Sequence, residues 1–305
     1  MKPVIVILGP TAVGKTKLSI ELAKKFHGEI INVDSTQVYQ DLNIATAKVT
    51  EEEKEGIVHH LFDIKKITED YSVGDYQKDA RKIIDDCLAR NKMPILVGGT
   101  GLYIKAAIYD YQFLPTSYKG DYTSFTNEEL YDQLLKIAPN TQIHFNNRKR
   151  IERALDYYHE TKKVLEEQEK TDKMLYPTIF IGLTCDRNIL YERINHRVDV
   201  MVQEGLLEEA KKIYDSNIRT KAVMTPIGYK ELFPYFEGKE NLTSCLEQIK
   251  KSSRHYAKRQ YTFFHHQLPV QWITVNFDHF SKTVDEAISI INRKLDYNTF
   301  KVHTK

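Results

Sequence analysis

The chain predicts an α/β fold, a P-loop NTPase-like parallel sheet flanked by helices and carrying a helical insertion. Three observations lead there. Short apolar runs alternate with amphipathic stretches along most of the 305 residues. The first run, VIVIL, leads directly into the glycine-rich loop GPTAVGKT. Between Tyr109 and about Lys173 the strand rhythm stops.

VIVIL (4–8) reads as a buried parallel strand, and the helix after the loop sets Leu18, Leu22 and Phe26 on one face. EIINVDS (29–35) is the second strand. DYQKDARKIIDDCLAR (75–90) has helical periodicity, with Tyr76, Ala80, Ile83, Ile84, Cys87 and Leu88 on its apolar side. MPILVGGT (93–100), TIFIGLT (178–184) and VQWITV (270–275) supply the third, fourth and fifth strands. NEELYDQLLKI and NRKRIERALDYYHETKKVLEEQ read as two helices of the insertion. A second, mainly helical stretch covers about 187–262, and the tail after about Leu295 is expected to fray. The predicted division is a core of 1–110 with 174–305 and an insertion of 111–173. Ligands of such sheets bind at the carboxyl ends of the strands. That singles out Gly9–Thr16, Asp34–Tyr39 and Gly98–Thr100.

Composition is that of an ordinary soluble protein, with 41% hydrophobic and 28% charged residues. Net charge is only +2, so any basic surface is local. Cys87, Cys185 and Cys245 lie far apart with no CxxC pair, which argues against a disulfide framework or a zinc site and fits a reducing cytosol. The apolar start is too short for a signal peptide, and no run approaches a membrane span. A cytoplasmic protein with no membrane partner is expected.

GPTAVGKT (Gly9, Pro10, Thr11, Ala12, Val13, Gly14, Lys15, Thr16) satisfies G-x-x-x-x-G-K-[ST] between a strand and a helix. Glycines let successive backbone N–H groups turn towards one anion, and the helix dipole adds to the attraction. Lys15 reaches the terminal phosphate, and Thr16 offers a hydroxyl to Mg²⁺. The loop specifies a di- or triphosphate, not what carries it. An ATPase adds a carboxylate at another strand end to hold Mg²⁺. The third strand instead ends in VGGT, and the available acid is Asp34, in NVDSTQVY. Asp34 is either a turn cap or, beside a phosphate loop, a group that handles a proton or a metal.

Two basic clusters stand out. RKRIER places Lys149, Arg150 and Arg153 on a helix, and KKSSRHYAKRQYTFFHH (250–266) interleaves cations with aromatic rings and contains no acid. That pattern suits a polyanion with bases to stack, although a solvated helix face has the same charges. Arg193 and Arg197, one turn apart, either pair with Glu192 or Asp199 or point at an anion. The pairs His59–His60 and His265–His266 are adjacent residues, which do not share a face, so chelation by a pair is not expected.

Taken together, the motifs GPTAVGKT, DSTQVY, TAK (46–48), HHLFDI (59–64), YS (71–72), VGGTGLYIKA (97–106), RIERAL, IGYKEL (227–232) and YAKRQYT (256–262) resemble the tRNA dimethylallyltransferase (tRNA isopentenyltransferase) family, across about residues 9–265. The resemblance implies transfer of a dimethylallyl group from dimethylallyl diphosphate to N6 of the adenosine 3′ of the anticodon, with release of diphosphate. It implies that Gly9–Thr16 hold the diphosphate, with Thr11 near the transferred carbon, Lys15 and Mg²⁺-bearing Thr16 on the leaving group, and Arg197 opposite. Asp34 would accept the amine proton, and Asp34, Ser35, Thr36, Gln37 and Thr100 would line the channel for the base. Lys149, Arg150, Ile151, Glu152 and Arg153 would hold the tRNA, as would Thr225, Pro226, Ile227, Gly228, Tyr229 and Lys230. So would Lys258, Arg259, Gln260, Tyr261, Thr262, Phe263, Phe264 and His265.

This chain departs from the family in having ATAKV for GTAKP, TFFH for TWFR, and Asn146-Asn147 for an Asn-Asp pair. The change at His265 removes a permanent phosphate contact. No zinc finger follows, unlike in eukaryotic members, so the bacterial type is expected. A monomer is expected as well. The alternatives are an adenylate isopentenyltransferase, for which the basic clusters have no use, and a P-loop small-molecule kinase, which would turn over ATP.

Overall fold

The computed structural model describes residues 2–114, 117–165 and 173–303. The chain divides into two compact units, Met1–Ile108 with Tyr176–Lys305, and Tyr109–Leu175.

The larger unit is built on a six-stranded, wholly parallel sheet. Its strands are β1 (Val4–Leu8), β2 (Gly28–Val33), β3 (His59–His60), β4 (Met93–Gly98), β5 (Thr178–Thr184) and β6 (Gln271–Thr274), in the order β3-β2-β4-β1-β5-β6. The apolar runs become strands because both sheet faces are covered, so β1 has no exposed residue at all. Isoleucines and valines of β1, β4 and β5 pack against Leu18 and Leu22 of helix α1 (Lys15–Phe26) and against Ala287 and Ile291 of the C-terminal helix. Helix α2 (Glu51–Lys54) is a single capped turn, and α3 (Val73–Ala89) opens on a capping box formed by Ser72 and Asp75. Helix α4 (Gly101–Ile108) follows β4.

β3 is absent from the sequence reading. It is two residues long, polar and at the sheet edge, where periodicity carries no signal. His60 Nε2 lies 2.8 Å from Glu29 Oε2, while Arg90 grips both Glu29 oxygens at 2.6 and 2.8 Å. Arg90, then His60, hold the Glu29 carboxyl down at about 2, against the opposing effect of burial. Cys87 sits in the same cluster with its thiol pushed up to about 12, mainly by burial.

The smaller unit contains α5 (Asn127–Ile137) and α6 (Arg148–Thr161), packed through Leu130, Leu134, Ile151 and Leu155. α6 stops at Thr161 because Lys162 adopts a left-handed conformation, φ 59°. The expected longer helix is therefore broken there, and its last residues, 166–168, lie outside the described residues.

After β5 the larger unit continues through α7 (Arg187–Gln203), α8 (Leu206–Asp215), α9 (Lys221–Met224), a 3₁₀ turn at Lys230–Leu232, α10 (Phe233–Phe236) and the long α11 (Leu242–Gln267). Helix α12 runs from Phe280 to His303, so the backbone is helical through much of the tail expected to fray. Among the described residues, no helix is long and apolar enough to cross a membrane.

Candidate active site

The β1–α1 loop is shaped to present backbone N–H groups. Gly14 at the N-cap of α1 has φ 96°, and no side chain caps the helix start. A Cβ at Gly14 would meet Phe280 at 2.9 Å, so glycine is required by both conformation and space. Ala12 also adopts a left-handed conformation, φ 64°. Its carbonyl is held by Arg193, whose Nε donates at 3.0 Å while the guanidinium lies 3.9 Å over the Phe277 ring. Arg193 is thus a brace for the loop. Lys15 curls over the loop, its ammonium donating to the carbonyls of Gly9 (3.0 Å) and Pro10 (2.6 Å). Thr11 is half-buried and Thr16 exposed on the first turn of α1, whereas Val13 is buried as an anchor.

Electrostatics converge on this loop. Burial, then the Arg197 guanidinium, push the Lys15 ammonium down to about 7, with Asp34 opposing. Arg197, on α7, is itself lowered by burial, while the carboxylates of Glu53, Glu204 and Asp34 work the other way. Arg197 has no hydrogen bond or close ion pair among the described residues. Two desolvated cations at one loop favour binding of an anion there, since among the described residues neither has a carboxylate in ion-pair contact.

Asp34 stands just past the end of β2. Asn32 fixes its backbone from both sides, Asn32 Oδ1 accepting from Asp34 N at 2.8 Å and Nδ2 donating to Asp34 O at 3.0 Å. The same amide donates to Leu61 O, which ties the HHLFDI segment to this strand end. Asp34 Oδ1 accepts from the Thr36 N–H (2.8 Å) and hydroxyl (2.6 Å). Oδ2 takes no hydrogen bond from a described residue. The two readings of Asp34 are therefore compatible, since one oxygen pins the turn and the other remains available for chemistry.

At the end of β4, Thr100 Oγ1 accepts from Ser35 N at 3.2 Å, which joins the two strand ends. Gln260 of α11 reaches in and donates to Gly99 O at 3.1 Å. Tyr256, one turn earlier, has its phenol held well above the usual range by burial and then by Asp34, with Thr100 and Gln260 among the groups pulling it back. Gln37 donates to the carbonyls of Thr46 (2.8 Å) and Ala47 (3.2 Å). Lys48 of TAK pairs with Asp63 at 2.6 Å.

The basic segments divide by exposure. Lys149 and Arg150 in the smaller unit, and Thr225, Lys230, Lys258, Arg259, Thr262 and His265 in the larger, are exposed. Glu152, Arg153, Ile227, Tyr261 and Phe263 are half-buried, with Glu152 paired to Arg148 at 2.7 Å. Ile151, Pro226, Gly228, Tyr229, Gln260 and Phe264 are buried, so they support these segments and present no surface to a ligand. Lys250, read as part of an acid-free run, is neutralised by Asp199 (2.9 Å) from α7 and by Glu247 (3.3 Å). His265 stacks on Trp272, 4.4 Å between centroids and 12° between planes.

Sequence reasoning left two of these functions unassigned. Arg193 takes neither of its two expected roles, since it donates to the Ala12 carbonyl and lies over Phe277, and Asn32 carries no motif signature outside its fold.

A family model described as IPP transferase matches residues 37–267. A tRNA dimethylallyltransferase of Anoxybacillus flavithermus is 48% identical, covering 97% of this chain and 98% of its own. One from Geobacillus thermodenitrificans is 46% identical, covering 96% and 97%. The crystal structure of a full-length tRNA isopentenylpyrophosphate transferase from Bacillus halodurans matches with a TM-score of 0.75 at 40% identity, covering 98% of this chain and 100% of that one. A eukaryotic dimethylallyltransferase acting on tRNA gives 0.84 at 31% identity, covering 97% and 80%. Motifs, parallel sheet and phosphate loop thus fall together in one lineage, and this chain belongs to the IPP transferase family.

Proposed function

We propose that this protein transfers a dimethylallyl group from dimethylallyl diphosphate to N6 of the adenosine 3′ of the anticodon in tRNA, releasing diphosphate. The observation that carries this reading is the open Oδ2 of Asp34 together with two desolvated cations, Lys15 and Arg197, that among the described residues form no ion pair with a carboxylate. An N6 amine is a weak nucleophile, so a carboxylate that takes its proton lowers the barrier to attack on the allylic carbon. As the carbon–oxygen bond breaks, negative charge grows on the diphosphate, and the loop N–H groups, Lys15 and Arg197 stabilise it in a partly dehydrated setting. Thr11, half-buried in the loop, would sit near the transferred carbon.

A Mg²⁺ ion would neutralise further charge on the leaving group. Thr16 fits that role, because its side chain is exposed on the first turn of α1 and offers one hard oxygen. With that single protein donor, the remaining ligands would come from diphosphate and water.

The acceptor base would leave its stack to reach Asp34 and Thr100. Lys258, Arg259 and Lys230 in one unit, and Lys149 and Arg150 in the other, would hold phosphates. The protein would act in the cytoplasm as a monomer. The test incubates the protein with radiolabelled dimethylallyl diphosphate and, in separate arms, tRNA, AMP or ATP. Label in tRNA is expected, and label confined to the nucleotides would refute the reading.

A further inference from the structure

Glu209, on the first turns of α8, is surrounded by donors from two other segments. Its carboxylate accepts from the backbone N–H groups of Asn43 (3.0 Å), Ile44 (3.0 Å) and Ala45 (3.2 Å), and from the Tyr229 hydroxyl at 2.7 Å. Tyr229 is fully buried, and burial, then Glu209, hold its phenol far above the ordinary range. At the neighbouring Gly228, φ is 125°, and a Cβ there would lie 2.9 Å from that of Ala45. The IGYKEL segment and the loop at 43–45 are therefore in contact through a carboxylate and a close backbone approach.

The loop continues the connection. Lys48 N donates to Asn43 O and Ala47 N to Ile44 O, both at 2.9 Å, which closes a tight turn. That turn presents the carbonyls of Thr46 and Ala47 to the Gln37 amide. Gln37 follows Thr36, whose N–H and hydroxyl both hold Asp34 Oδ1. An unbroken series of hydrogen bonds and short chain segments runs from Tyr229 through Glu209 and Gln37 to Asp34.

We propose that Glu209 is a positioning residue that couples the surface at Thr225–Lys230 to Asp34. The proposal rests on the reading of Asp34 as the base and of that surface as a tRNA contact. Thr225 and Lys230 are exposed while Tyr229 between them points inward. Nucleic acid bound outside therefore bears on the Glu209 contacts inside. A carboxylate suits this junction because its two oxygens accept from four donors at once, which a carboxamide cannot do.

The test compares Glu209→Gln and Tyr229→Phe with the unmodified protein in single-turnover transfer at saturating tRNA and dimethylallyl diphosphate. Measurements are made well below each variant's melting temperature. Glu209→Gln is expected to slow transfer by about ten- to a hundredfold, Tyr229→Phe by less, because small displacements of reacting groups have effects of this size. Binding of inorganic diphosphate should stay within about threefold, since the phosphate loop is untouched. The decisive readout is a cycle with Asp34→Asn. If Glu209 acts through Asp34, Glu209→Gln causes little further slowing in that background. Full rate in both variants, or an undiminished slowing on top of Asp34→Asn, overturns the proposal. Should Glu209→Gln fail to fold, Tyr229→Phe carries the same cycle. Asp34→Asn at the wild-type rate would instead defeat the base assignment, a failure visible before Glu209 is altered.

Discussion

Lys15 should make diphosphate binding depend on pH in the neutral range. Its ammonium is held down to about 7, first by burial and then by Arg197. The group is a base with a lowered pKa, so it is charged below about pH 7 and neutral above. Each further unit of pH leaves about a tenth of the molecules with the ammonium in place. Affinity for inorganic diphosphate contributed by Lys15 should therefore fall about tenfold per unit, about 1.4 kcal/mol, between about pH 7 and pH 9. Bound diphosphate stabilises the ammonium and restores its pKa, so binding near pH 8 takes up close to one proton. The assay is isothermal titration calorimetry in buffers of different ionisation enthalpy, with Lys15→Met measured in parallel. The ligand's own ionisation cancels in the ratio of the two affinities, and that ratio should be largest near pH 6 and shrink towards pH 9. A constant ratio with no proton uptake would refute the reasoning.

Asp34→Ala should abolish most transfer while tRNA affinity, measured by filter binding, stays within a few-fold. Near-normal rates would remove Asp34 as the base. Lys258→Ala with Arg259→Ala should weaken tRNA binding and lower the slope of log affinity against log salt by about 1.5, the share of two phosphate contacts. An unchanged slope would move the RNA surface elsewhere. Glu29→Gln should reduce stability at neutral pH by about 2 kcal/mol, a figure set below the full value of the Glu29 shift because Arg90 is partly exposed and screened. Since the folded carboxyl is lowered to about 2 from its ordinary 4.5, that stability is complete above about pH 5 and vanishes as pH falls towards 2. Urea melts of both proteins should therefore converge in acid, and a gap independent of pH would contradict the assignment.

How much could be read before folding differs from residue to residue. VIVIL, PILV and TIFIGLT declare themselves because a doubly covered parallel strand needs an unbroken apolar run. His59–His60 does not, because a two-residue edge strand is made by its neighbour and not by its own sequence. Asp34 and the phosphate loop are legible because strand ends in this topology attract ligands. The partners that orient Asp34 are not, since Asn32 becomes informative only when its amide meets Leu61 across the fold. Lys250 shows the limit of charge counting along a chain. Its run contains no acid, yet α7 supplies Asp199 from outside it. Glu209 is the extreme case, one acid among several on an amphipathic helix until three amides and a phenol converge on it.

The smaller unit leaves and re-enters the chain through a narrow neck. Tyr109 bridges Met174 in antiparallel fashion, and Asp110 N donates to Lys173 O at 2.9 Å. Its two ends are thus pinned side by side, and the loop-closure entropy of the length between them grows only with the logarithm of chain length. The β4-to-β5 crossover already has its own helix in α4. Residues inside the neck can therefore lengthen, shorten or change sequence without altering the register of the sheet. The insertion is thus tethered to the sheet at two adjacent points of the chain, while the phosphate loop and Asp34 belong to the larger unit.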